Sequence, residues 1–132
     1  MNEFERFLNP KRKENIRFVL SEEFVDQNGK PLVWEMRQLS SEEGLEIERI
    51  NAGKGDVEVM IALVASSLVI PDLKDQKLLA ALSEKGKGTV LSPAQAAKAM
   101  LTMAELFKLM KIYHSFSGMG ESVDELIAKA KN

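Results

Sequence analysis

Hydrophobic and polar positions along this chain follow two different periods, and one stretch obeys neither. From Val57 to Ile70 (VEVMIALVASSLVI) no charge follows Glu58 until Asp72. On a helix, Val57, Met60, Ile61, Val64 and Leu68 cover one face, while Val59, Ala62, Leu63, Val69 and Ile70 fill most of the remainder. A helix apolar nearly all round is buried on several sides. The β-branched content also suits a strand, but the length exceeds an ordinary strand, and Ala62, Ala65, Ser66 and Ser67 favour close helix packing. The pattern predicts a central core helix with Asp56 as N-cap and Pro71 as its end. The run falls short of the ~20 apolar residues of a membrane span, and no membrane partner is expected.

Around this stretch the other elements fall into place. Phe4, Phe7 and Leu8 share a short helical face that Asn9-Pro10 breaks, and a polar loop runs to Asn15. Such a terminal cluster docks either on its own domain or on another subunit. From Ile16 the period becomes two. Phe18, Leu20 and Phe24 fall on one face, interrupted by Glu22, and Leu32, Trp34 and Met36 on the facing run. Asn28-Gly29 between them supplies a tight turn. Trp34 reads as a core anchor, with a ligand platform as the alternative. A two-stranded hairpin is not stable alone, so it must lie on helices or pair with a strand of another chain.

The remainder is helical. Ser40 and Glu43 have capping-box spacing, followed by Leu45, Ile47 and Ile50 and a stop at Gly53 to Gly55. Asp72 is expected to cap a helix that turns Leu73, Leu78, Leu79 and Leu82 inward and closes at Gly86-Lys87-Gly88, a loop without P-loop spacing. Ser92-Pro93-Ala94-Gln95 starts another helix. It runs either unbroken to Phe116 or as two helices joined near Thr102, where Thr102 and Glu105 repeat the capping-box spacing. After a turn at Ser117 to Gly120, Ser122 to Lys129 forms a last helix expected to bury Val123, Leu126 and Ile127. The reading is an α+β fold, a β-hairpin on a bundle of about five short helices, in a single domain 1–132. Residues 1–15 form an N-terminal arm, 16–39 the hairpin and 40–132 the helical part.

Composition narrows the chemistry. The 132 residues suffice for one core, and the absence of cysteine removes thiol nucleophiles, thiolate metal sites and disulfides. The start of the chain lacks the apolar run of a secretory signal, which suggests a cytoplasmic protein. A formal net charge of −2 argues against nucleic acid as partner. The one basic cluster, Lys11, Arg12, Lys13 and Arg17, reads as a solvated edge or, alternatively, a nucleic-acid contact. His114 is the only histidine. No HExxH, GxSxG, GxGxxG or EF-hand loop is present, and neither Glu22-Glu23 nor Glu42-Glu43 has metal-ligand geometry, so no catalytic residue, cofactor or metal is expected.

The segment Met100 to Phe116 carries more apolar side chains than one helix needs to dock on a small domain. Burying a large side chain is worth roughly 1.5–3 kcal/mol, so a surplus calls for a partner or second subunit to cover it. Met103, Phe107 and Met110 form one stripe at helical spacing and are expected to be partly exposed. With Met100 they constitute the predicted partner-binding surface. The flexible thioether of methionine suits such contacts, although Met100, Met103, Met110 and Met119 also read as core filling.

Taken together, FVDQNGKPLVWEMRQLSSEE (Phe24 to Glu43) and LVASSLVIPDLKD (Leu63 to Asp75) resemble the XkdN-like tail assembly chaperones of contractile-tailed phages and defective PBSX-type prophages. That family shows an N-terminal FL, a strand ending in phenylalanine, a D-x-x-G-K-P hairpin followed by W-E, a small-residue helix ending in P-D-L-x-D, and a C-terminal asparagine after a short helix. The corresponding residues here are Phe7-Leu8, Phe24, Asp26 to Pro31, Trp34-Glu35, Ala65 to Asp75 and Glu121 to Asn132. The chain departs from the family where a Pro-Gly-type break is common, having Thr102-Met103 instead, and Ser83 to Ala99 matches poorly. The resemblance implies a non-enzymatic protein that binds the tape-measure protein before the tail tube polymerises, acts in the bacterial cytoplasm and is absent from the mature virion. The tail tube protein is a further candidate partner, and homo-oligomerisation is open. The competing readings are a structural tail-completion or connector subunit and an unrelated adaptor domain.

Overall fold

The computed structural model describes residues 2–86 and 88–131, and Met1, Lys87 and Asn132 lie outside them. Three short strands, β1 (Ile16–Phe18), β2 (Trp34–Met36) and β3 (Leu68–Ile70), form an antiparallel sheet with β2 in the middle. Pairing Ile16 with Met36 and Phe18 with Trp34 joins β1 to β2. This is the expected hairpin, with Leu20 buried and Phe24 set edge-on to Trp34 at 5.4 Å between ring centroids. The tip closes through Asp26, whose side chain accepts from the amides of Asn28 and Lys30, and through Gly29 at φ 79°.

The second edge of β2 is where the expected long helix gives way. The apolar run divides into α3 (Asp56–Ser66) and β3, which pairs Glu35 with Ile70 and Met36 with Leu68. Ser67 makes the joint: its hydroxyl donates to the Val64 carbonyl at 2.6 Å, and its own carbonyl accepts the Arg37 amide at 2.9 Å. Leu68, Val69 and Ile70 are equally apolar in either conformation, so only the vacant edge of β2 decides between them. The hairpin thus finds its third strand within its own chain. The cap also differs from expectation. Gly55, at φ 99°, occupies the N-cap and Asp56 is the first helical residue, without a side-chain cap bond.

The helical layer comprises α2 (Ser41–Ile50), α3, α4 (Gln76–Lys85), α5 (Pro93–Met100) and α6 (Met103–Ser117). Helix α3 lies at the centre, packed chiefly on α5 and also on α2 and α6, while α4 leans on α5. The core runs from Trp34 and Met36 through Ile61, Val64 and Leu68 to Leu79, Leu109 and Phe116. The capping boxes at Ser40/Glu43 and Thr102/Glu105 both form, and the second one, after an extended Leu101, divides the 93–117 segment into two helices. Asp75 caps α4, accepting from the amides of Lys77 and Leu78, and the expected Asp72 instead closes a turn onto the Lys74 amide. Leu73 is buried just ahead of that helix.

Several expected burials are not made, among them Val57 at the start of α3, which is 66% exposed. In α2 only Ile47 packs against the core, and Leu45 and Ile50 face solvent. Gly44 lies against Leu63, where a Cβ would meet its methyl at 3.9 Å, so α2 approaches α3 along its small-residue side. The terminal helices α1 (Glu3–Leu8) and α7 (Val123–Ala130) bury no residue at all. Phe4, Phe7, Leu8, Val123, Leu126 and Ile127 are all exposed.

The Ser40 box is joined to the sheet by Arg37, whose guanidinium donates to both carboxylate oxygens of Glu43 at 2.9 and 2.6 Å. These bonds and the Ser40 amide hold the Glu43 carboxyl at about 2, below its ordinary 4.5. Since 40% of that side chain remains exposed, solvent screening keeps the pair modest. A carboxyl depressed by folding stabilises fully above its unfolded pKa and loses that contribution as the pH falls through the folded one. Glu43→Ala should therefore cost about 1 kcal/mol in urea unfolding near neutral pH. The difference from the parent should shrink between pH 4.5 and about 2.

Candidate functional site

Helix α6 carries two apolar faces. Leu106, Leu109, Tyr113 and Phe116 turn into the core, and burial raises the Tyr113 hydroxyl above its ordinary pKa. On the other side Met103 and Phe107 are 66% and 54% exposed, and Met110 is half-buried at the border. The Thr102/Glu105 box sets this rotation. Thr102 Oγ1 accepts the Glu105 amide at 3.2 Å, and the buried Glu105 carboxylate accepts the Thr102 amide at 2.8 Å, which lowers its pKa.

Phe107 and Met110 line a recess of about 710 Å³, together with Met60 of α3, Lys111 and His114 of α6, and the Gly118 to Glu121 turn. Two glycines shape its lower end. Gly118 ends α6 in the left-handed region at φ 79°, a conformation strained for any side chain. At Gly120 an added Cβ would come within 3.0 Å of His114 Nε2, so the backbone closes directly against the imidazole. Glu121 beside it is held by Lys129 at 2.5 Å, which lowers the Glu121 carboxyl pKa.

Of the four residues predicted to form a contact surface, the structure brings together Phe107 and Met110, with Met103 above them on the same face. Met100 lies elsewhere. It ends α5 and lines a separate cleft of about 430 Å³ with Phe24, Leu82 and Ala99. The break at Leu101 is the reason, because α5 and α6 do not share one axis of rotation. Sequence reasoning did not find Met60, His114 and the glycine turn as neighbours of the stripe. The pattern places Met60 on the core face, and although it marks a turn at Ser117 to Gly120, nothing in it brings that turn beside the stripe.

The basic cluster also divides. Lys13 donates to the Phe116 carbonyl at 3.1 Å, the same oxygen that accepts Gln38 Nε2 at 3.1 Å. Lys11 to Lys13 line a cleft with Gln38, Ser40, Glu43 and Glu121, whereas Arg17 pairs with Glu35 at 3.4 Å. Among the described residues no group of three histidine, aspartate or glutamate side chains could hold a metal ion. No described helix is long and apolar enough to cross a membrane.

The molecule is thus a small α+β domain with an open, largely apolar recess on one helix face. The sequence profile of phage XkdN-like tail assembly chaperones matches residues 4–131, and the chain belongs to that family, whose role is tail assembly. A crystal structure of the protein YqbN, a structural genomics target, has the same fold, with a TM-score of 0.69 at 20% identity over 89% of this chain and 98% of that one. Comparison with curated proteins gives no match.

The two faces of α6 predict opposite responses to substitution. Leu109→Ala, at a fully buried position, should cost about 2–5 kcal/mol in chemical denaturation. Phe107→Ala should change stability by less than about 1 kcal/mol. Equal losses at the two positions would show that Phe107 belongs to the core.

Proposed function

We propose that this chain is a non-enzymatic holding chaperone that binds the tape-measure protein in the bacterial cytoplasm during tail assembly and does not remain in the virion. The carrying observation is the stripe of Met103, Phe107 and Met110, exposed beside a recess while the opposite face of the same helix fills the core. Family membership supplies the assembly role. A long helical client with an apolar stripe aggregates unless that stripe is covered, and a groove on a helix face is an economical cover. Methionines at the rim adapt to varied client side chains. Met100, in the Phe24 cleft, falls outside this surface. The tail tube protein remains a second client by the same chemistry.

The test is co-expression with the tape-measure protein, read as soluble client and as pull-down. Met103→Ser/Phe107→Ser should lower both at least about tenfold while the thermal transition moves by only a few degrees, since both side chains are more than half exposed. Undiminished solubilisation by this variant would overturn the contact surface. Stoichiometric copies in purified particles would instead make the protein a structural subunit.

A further inference from the structure

We propose that the recess on α6 is the seat of the N-terminal helix of a second copy of this chain, so that two copies exchange their arms. Helix α1 carries Phe4, Phe7 and Leu8 on one side, exposed at 72%, 79% and 64%, and none of its residues lines the recess of its own chain. Three large apolar side chains at i, i+3 and i+4 form a stripe, and in the isolated chain that stripe is uncovered. The recess has the complementary character, with Met60, Phe107 and Met110 as apolar wall.

Length and charge agree with this pairing. A six-residue helix is about 9 Å long, and the wall of α6 from Phe107 to Gly118 extends about 16 Å, so α1 lies within it. The first turn of α1 carries Glu3 and Glu5. Lys111 stands on the recess wall and Lys108 one turn above it, and neither makes an ion pair among the described residues. The arm also carries Arg6 in its last turn, and the recess Glu121, already held by Lys129; the acid at the start of the arm is what meets unpaired base at the groove. The root of the arm is fixed at Lys13, bonded to the Phe116 carbonyl at the end of α6. Each arm thus leaves its chain close to that chain's own recess. Two copies related by a twofold axis can then place each arm in the other's recess and close the assembly at a dimer.

The arm and the proposed client would compete for one recess, and the two readings are tested separately. The arm exchange is read from mass alone, by light scattering on the full chain between about 1 and 100 μM, a range that brackets a micromolar association. The parent should become a dimer in that range. Phe4→Ser/Phe7→Ser, with an intact recess, and Met103→Ser/Phe107→Ser, with an intact arm, should each weaken the dimer at least about tenfold. An equimolar mixture of the two should recover a heterodimer held by one arm in one recess. Lys108→Glu/Lys111→Glu should weaken the dimer at low salt without unfolding the chain, because both lysines are exposed. A parent that stays monomeric, variants that stay dimeric, or a mixture that does not pair would each overturn the proposal. A parent that dimerises yet neither solubilises nor pulls down the tape-measure protein would sink the holding-chaperone reading and leave this one standing.

Discussion

The structure depends on what happens at Ser67. An apolar run too long and too uniformly hydrophobic to lie in water has to be buried on both the helical and the sheet side, and a single conformation cannot serve both. By turning at a fully buried serine, the chain gives α3 to the helices and β3 to the edge of β2. The serine hydroxyl and backbone satisfy the polar groups that a change from helix to strand would otherwise leave unpaired. The same joint receives the Arg37 amide, and Arg37 reaches on to Glu43. Sheet, core helix and the start of α2 are therefore linked through one buried point.

Much of this was legible in the residues where local chemistry is decisive. The capping boxes at Ser40 and Thr102 and the Ser92-Pro93 start are written in side chains that bond their own backbone, so the helices begin where the letters say. The hairpin period and its Asn-Gly turn carried Trp34 and Met36 into the core. The strand β3 was not legible, because three consecutive apolar residues have no period and their conformation is set by a distant partner. Asp56 and Asp72 show a second limit. An aspartate near a helix start is a candidate cap by its letter alone, and tertiary placement selects Gly55 over Asp56 and Asp75 over Asp72.

The exposed stripe of α6 followed from counting apolar residues against what one helix can bury, which holds without knowledge of the fold. The recess beside it did not. It arises where α3 and the turn after α6 meet, between residues separated by about half the chain, and a stripe says nothing of its neighbours. The same counting failed for α7 and α2, where amphipathic letters promised burial that the chain does not provide. An apolar face predicts the need for a cover and leaves the source of that cover open.

The extended Leu101 has a consequence for how the surface is divided. A continuous helix from 93 to 117 would have stacked Met100, Met103 and Phe107 along one line, making a single wide patch prone to indiscriminate sticking. The break instead assigns Met100 to the cleft beside Phe24 and leaves Met103 and Phe107 on the exposed face of α6. The two hollows share no lining residue, so a substitution in the wall of one leaves the wall of the other in place.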